Sequence, residues 1–414
     1  MKVILQAKIS DPHLDGSAAS SQRQIEISIA AEQGEDQVNA APLNLCLVLD
    51  HSGSMSGRPM ETVKQAATEL VDKLTPNDRI SVIAFDHKAK VIVPNQEVTN
   101  ISSIKELIRQ LQPAGGTSID EGMKLGLLES AIGKKDKISQ LFLLTDGENE
   151  HGDNQRCLKI AQLAPESNIT INTLGFGAHW NQDILEQIAD SAGGTLCYIE
   201  KPEQAVAEFA KLFTRIQSVG LTNAHLLLEL IPEIHLAELK PIAQVAPETI
   251  ELTHTLEQSN TLIRLGDLMI GTSKQILINL YINKLAPGKQ RAGMVYVRYD
   301  DPATGRTGLL SEKIPLELDV QSVYVAQPDP QVQKSILTLA KYRQTQIAET
   351  KLQQGDRVGA ATMLKTAAKT ALQLGDEKAA DVLQSNATRL QAGDELSPED
   401  RKKTRLVSKT RLEP

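Results

Sequence analysis

Cysteine is nearly missing from this 414-residue chain, which has only Cys46, Cys157 and Cys197. An odd count with no C-x-x-C spacing argues against a disulfide framework and against a thiolate zinc site. Long apolar runs are also missing. No segment approaches the roughly 18 uncharged apolar residues of a membrane span. The opening MKVILQAKIS has neither an apolar h-region nor a small-residue cleavage site, so it reads as a first strand rather than a signal peptide. Excess positive charge is absent as well. A formal charge of −8 excludes broad attraction to nucleic acid or to an acidic membrane. These absences set the expectation of a cytoplasmic protein.

Catalytic signatures are equally scarce. There is no G-x-x-x-x-G-K-[ST] phosphate loop, no G-x-S-x-G elbow and no H-E-x-x-H pair. Gly175-Phe176-Gly177 lacks the third glycine of a dinucleotide fingerprint. An aspartyl-phosphate phosphatase wants a second carboxylate two residues after the first, and after Asp50 that place holds Ser52. No general base stands out. The expectation is a protein that is not an enzyme, with a metal-dependent hydrolase or phosphatase kept as the alternative.

What the chain does have is hydrophobic patterning in three styles. Residues 43 to 218 alternate short apolar runs with helical periods. Leu43–Leu49, Arg79–Phe85, Gln140–Thr145 and Thr170–Phe176 read as strands, and helices read between them, one with Pro59 in its first turn. Strands joined by helices predict a doubly wound parallel sheet, whose ligands gather at the carboxyl ends of the strands. Both flanks show period two instead, at Val3/Leu5/Ala7/Ile9, Ile25/Ile27/Ile29, Ile276/Ile278/Leu280/Ile282 and Ile314/Leu316/Leu318. Two N-terminal strands cannot make a stable sheet alone. They are expected to join the later strands, so that the α/β domain is inserted in an antiparallel β-sandwich. The last part repeats Leu-Gln-x-Gly-Asp at Leu352–Asp356, Leu372–Asp376 and Leu390–Asp394. Glycine ends one helix and Asp caps the next, which predicts helices over 330–354, 356–374 and 377–392. The predicted layout is sandwich strands over 1–40, the α/β domain over 41–218, the rest of the sandwich over 219–327, a helical bundle over 328–394 and a basic flexible tail over 395–414.

The densest chemistry lies at Asp50-His51-Ser52-Gly53-Ser54, where the first strand of the α/β domain stops. One carboxylate and two hydroxyls are hard donors suited to Mg²⁺, Mn²⁺ or Ca²⁺. Gly115-Gly116-Thr117-Ser118 precedes a helix, and Thr145-Asp146-Gly147 ends another strand. If the strands ending at Asp50 and Asp146 are neighbours, two carboxylates and three hydroxyls meet at the switch point. With only two formal charges, a bound cation stays electron-poor and accepts a further carboxylate.

These residues resemble the von Willebrand factor A domain with its metal-ion-dependent adhesion site, whose pattern is D-x-S-x-S, a distant Thr and a distant Asp. Asp50, Ser52, Ser54, Thr117 and Asp146 fill that pattern, and Thr173–Gly177 and Gly193-Gly194 extend the likeness. The resemblance implies that these five residues hold Mg²⁺, with Mn²⁺ or Ca²⁺ as substitutes, and that a partner's Asp or Glu completes the shell. It implies a protein-interaction module or scaffold, in one form an adaptor for an AAA+ type ATPase. A divalent-ion sensor without a partner carboxylate is the remaining alternative.

Several further residues carry readings of their own. His51 is expected to point away from the metal. Trp180, the single tryptophan, either marks a binding hot spot beside His179 or covers its own helix. Glu148, Glu150 and Asp153 are either a rim facing a basic partner or a solvated loop. The run Arg401–Arg411, with Thr404, Ser408 and Thr410, is either a solubilising tail, a dock for an acidic surface or a phosphorylation target.

Overall fold

The computed structural model describes residues 1–33, 41–177, 179–258 and 260–409. The chain opens with β1 (Lys2–Ile9), β2 (His13–Asp15) and β3 (Ser20–Glu32). The α/β domain follows: β4 (Leu43–Asp50), α1 (Arg58–Val71), β5 (Arg79–Phe85), β6 (Ala89–Glu97), α2 (Ile101–Arg109), α3 (Ile119–Ile132), β7 (Ile138–Thr145), α4 (Asn154–Leu163), β8 (Ile169–Phe176), α5 (Gln182–Ala192), β9 (Leu196–Ile199) and α6 (Ala205–Gln217).

Its sheet runs β6-β5-β4-β7-β8-β9. The four inner strands and β9 run parallel, as the doubly wound pattern predicts, and the edge strand β6 departs from it by running antiparallel to β5. The reason is local. After Phe85 the chain reverses within Asp86–Lys88, too short a link for the crossover that a parallel neighbour requires. β4 is buried along its whole length because helices cover both faces. Leu45, Leu47 and Leu49 face the core under α1 and α6, while Cys46 and Val48 face the core under α3, α4 and α5. Gly122 and Gly126 let α3 sit directly on Phe85 and Val48; a Cβ at Gly126 would stand 2.5 Å from Val48 Cγ2.

The next stretch is all strand: β10 (Val219–Leu230), β11 (Ile234–Leu236), β12 (Ile242–Ala246), β13 (Ile250–Glu251), β14 (His254–Glu257), β15 (Asn260–Met269), β16 (Lys274–Asn283), β17 (Gly288–Asp301), β18 (Arg306–Leu310) and β19 (Ile314–Gln321). One sheet is ordered β1-β3-β16-β12-β13, with β11 also on β16; the other is ordered β14-β15-β10-β17-β19-β2, with β18 also on β17. β3 pairs with β16 from Lys274↔Ile29 to Asn283↔Ser20, so the N-terminal hairpin meets strands more than 240 residues away. Ile25, Ile27 and Ile29 share a core with Ile276 and Ile278 and, from the other sheet, Leu226 and Val297.

The helical region comprises α7 (Pro330–Gln353), α8 (Arg357–Gln373), α9 (Glu377–Ala392) and α10 (Pro398–Lys409). Gly355, Gly375 and Gly393 have positive φ, and Asp356 and Asp376 accept hydrogen bonds from Gly359 N–H and Ala379 N–H. Asp356→Ala should therefore cost about 1 kcal/mol of stability, read by urea unfolding; an unchanged midpoint would deny the cap its role. The helical core is built of alanine and leucine. Residues 395–414 were expected to be a flexible tail. Instead Pro398–Lys409 is a seated helix, because its basic side chains find acidic partners on α5. Thr410 and Arg411 lie outside the described residues.

Candidate metal centre

β4 and β7 are neighbours, so Asp50 and Asp146 emerge side by side where the strand order reverses. Asp50 is fully buried. Its Oδ1 accepts the Ser52 N–H at 2.8 Å, and its Oδ2 accepts the Thr145 hydroxyl at 2.6 Å. The Ser52 and Ser54 hydroxyls lie 3.0 Å apart, and Ser54 Oγ donates to Asp146 Oδ1 at 2.7 Å. Four of the five expected residues thus form one line of contacts from a buried carboxylate to a half-exposed one.

Thr117 comes from a third loop and is buried. A Cβ on Gly147 would stand 3.4 Å from the Thr117 hydroxyl, which places Thr117 against the residue that follows Asp146. Backbone bonds stitch the loops together. Gly53 N–H donates to Gly115 O at 3.0 Å, Ala114 N–H to His51 O at 2.8 Å, and His151 N–H to Thr117 O at 3.0 Å. Side-chain organisers add to these. Asn149 Oδ1 accepts the Ile119 N–H at 2.7 Å, which fixes the start of α3.

Burial pushes the Asp50 carboxyl up to about 6, against the opposing hydrogen bonds of Ser52 and Thr145. Burial also raises Asp146, against the hydrogen bond it accepts from Ser54. A buried carboxylate that strains to stay charged, beside a second carboxylate and hydroxyls, is a donor set that a hard divalent cation relieves. No cluster of three or more His, Cys, Asp or Glu side chains suited to a metal occurs among the described residues. The group at Asp50 instead pairs two carboxylates with hydroxyls, and it fits Mg²⁺, Mn²⁺ or Ca²⁺.

The neighbouring residues separate. His51 turns aside, its Nδ1 lying 2.9 Å from Gln112 O. Trp180 is buried, with Nε1 donating to Gly177 O at 2.8 Å and its ring 5.6 Å from that of Tyr198. It is therefore no exposed anchor in this state. Glu148, Glu150 and Asp153 are exposed, and Asp153 caps α4 by accepting the Gln155 N–H. Sequence reasoning missed Thr145 and Asn149. The strand pattern LFLLT placed Thr145 at the end of β7, but only the pairing of β7 with β4 aims its hydroxyl at Asp50.

Comparison with known proteins places these features. Residues 44–212 match the von Willebrand factor type A domain, and residues 330–414 match the Sll0103-like C-terminal alpha-helical domain. The protein sll0103 of Synechocystis sp. is 58% identical over 414 residues, covering 100% of this chain and 98% of that one. Inter-alpha-trypsin inhibitor heavy chain H4 of Bos taurus is 26% identical over 199 residues, 45% of this chain and 22% of that one, so the chain spans about a fifth of that relative. A von Willebrand factor type A structure from Catenulispora acidiphila shares the fold with a TM-score of 0.82 at 17% identity, covering 99% of this chain and 97% of that one. The ArnB paralog VWA2 from Sulfolobus acidocaldarius follows with a TM-score of 0.59 at 14% identity, covering 99% of both chains. The chain belongs to the Sll0103-like family and carries a von Willebrand factor type A domain followed by that family's C-terminal helical domain.

Proposed function

We propose that this protein is a non-enzymatic interaction module whose α/β domain captures an acidic side chain of a partner protein through a divalent cation. Asp50, Ser52, Ser54, Thr117 and Asp146 would hold the ion, with Mg²⁺ first and Mn²⁺ or Ca²⁺ as substitutes. The observation that carries this reading is the contact line from buried Asp50 through Ser52 and Ser54 to Asp146 at the switch point. Two carboxylates just balance a dication's formal charge, and the remaining donors are neutral hydroxyls, so the shell keeps room for a third carboxylate from outside in place of water. We read the two flanking sheets as one β-sandwich into which the α/β domain is inserted, bracing the site from below. The helical region then offers a second docking surface, as an adaptor for a larger assembly or an AAA+ type ATPase requires. No described helix is long and apolar enough to cross a membrane, and a cytoplasmic setting is part of the proposal.

The test is capture of partners from an extract of the source cells by immobilised protein, in Mg²⁺ and in EDTA. Capture in Mg²⁺ alone, lost with Asp146→Ala, is the expected result. Thr117→Ala removes no charge, so it should retain the metal within about threefold while weakening partner capture at least tenfold. Equal loss of metal in both variants would contradict that division of roles. Turnover of a generic phosphoester, abolished by Asp50→Ala, would replace the module with a hydrolase. A shape change in scattering with the ion alone, and no metal-dependent partner, would favour a sensor.

A further inference from the structure

α10 is an unusual helix. Its buried residues are Lys402, Thr404, Ser408 and Lys409, all polar, whereas those of α8 and α9 are dominated by alanine and leucine. Lys402, Arg405 and Lys409 follow the spacing i, i+3, i+7 of a single helical face. Opposite them, α5 presents Asp183, Glu186 and Asp190 at the same spacing. Arg405 pairs with Asp183 and, at 2.7 Å, with Glu186; Lys409 pairs with Glu186 at 3.0 Å and Asp190 at 2.6 Å. Lys402 Nζ sits 4.0 Å from the Trp180 ring centroid, a cation–π contact away from water. Trp180 itself lies flat on Gly175, where a Cβ would come within 2.2 Å of the indole. This seat therefore adjoins the carboxyl end of β8, on the face that carries the metal ligands.

We infer that Trp180 and the acidic face of α5 form a helix-binding site, separate from the metal ligands, which α10 occupies as a releasable latch. The partner chemistry it fits is a helix with a cation over the indole and further cations three and seven positions on, laid in a groove as amphipathic helices are. Its resident occupant is this chain's own α10. Release follows from what holds the seat. Apolar burial drives the packing of α7 to α9, whereas α10 lends that core only the partly buried Val407 and is otherwise held by polar contacts. These include its ion pairs with α5 and Glu349, Asn386 Nδ2 donating to Thr404 Oγ1 at 2.7 Å, Lys341 Nζ to Val407 O at 3.1 Å and Thr249 N–H to Lys409 O at 2.9 Å. The attraction within buried ion pairs is largely offset by the desolvation of both partners. Such an element opens at lower free energy than the alanine and leucine core beside it. Opening uncovers the indole and an acidic strip beside the metal ligands, where a basic helix of the same spacing competes. The inference stands whether or not the site at Asp50 binds metal.

Trp180 is the only tryptophan, so its emission reports this seat alone. The test is the full chain with Arg405→Glu and Lys409→Glu. The expected result is a longer-wavelength Trp180 emission and at least threefold stronger acrylamide quenching, with the far-ultraviolet signal otherwise kept. A synthetic peptide of residues 396–409 should reverse both changes saturably, and the same peptide with Arg405→Glu and Lys409→Glu should not. A folded variant with unchanged quenching, or a peptide that restores nothing, overturns the inference. If the variant fails to fold, hydrogen exchange on the unaltered protein decides. Amides of α10 should exchange at least tenfold faster than those of α7 to α9, and equal protection overturns the latch.

Discussion

Asp50→Asn should make the metal-free protein more stable at neutral pH, by about 3 kcal/mol, while abolishing its response to divalent ions. The charge explains both effects. Asp50 is fully buried, and burial raises its carboxyl to about 6 against an ordinary 3.8. A folded-state value above the unfolded one means that the folded chain binds the proton more tightly. Stability of the metal-free wild type therefore rises as pH falls from about 6 towards 4, and the ionised group costs stability above that window. Asparagine keeps the acceptor for Ser52 N–H and removes the charge. The advantage of the variant should be full above pH 6, shrink between 6 and 4, and vanish below. Divalent ion should then reverse the ranking at pH 7.5, because only the wild type gains binding energy. Thermal melts in EDTA and in Mg²⁺ at pH 4, 5, 6 and 7.5 read all of this. A variant less stable than wild type in EDTA at pH 7.5 would show that Asp50 serves the fold rather than the ion.

Gly194→Ala should be the most destructive small substitution in the α/β domain. A Cβ there would stand 2.0 Å from Ile171 O and 2.6 Å from its carbonyl carbon, both backbone atoms of β8. Ile171 lies in the ladder with Leu141 of β7, so β8 cannot yield without breaking the sheet that ends at Asp146. The expected loss exceeds about 4 kcal/mol, in the range of forced backbone displacement. Urea unfolding should show a lost or strongly lowered transition. Gly271→Asn is the control: its φ is +75°, nothing lies within 4 Å, and Asn tolerates that region, so the loss should stay below about 1 kcal/mol. Similar losses in both would mean that glycine's backbone freedom, not the contact with Ile171, sets the effect.

The parts legible in the sequence were those written in local periodicity. Leu43–Asp50 reads as a buried strand because helices cover both faces, and the apolar run needs no knowledge of which helices. The Gly-Asp pairs at 355–356 and 375–376 read as helix breaks because φ and capping are properties of one or two residues. The five candidate metal ligands were legible because each sits at a strand end or a loop whose position follows from the doubly wound order. Other features depend on distant partners. α10 looks like a solvated basic tail until α5, more than 200 residues earlier, supplies Glu186 and Asp190. Trp180 can be read either as a binding hot spot or as a cover for its own helix until Gly175, Tyr198 and Lys402 close around it. The direction of β6 hinged on a three-residue reversal, and the role of Thr145 on which strand lies next to β7.

The most direct test of the central claim is isothermal titration of Mg²⁺, Mn²⁺ and Ca²⁺ into chelator-stripped protein, with excess acetate supplying the external carboxylate, beside Asp50→Asn. The account predicts saturable binding at one site by the wild type, tightened by acetate, and affinity at least 100-fold weaker in the variant. Equal binding by both proteins, or no binding of any of the three ions even with acetate, would contradict it.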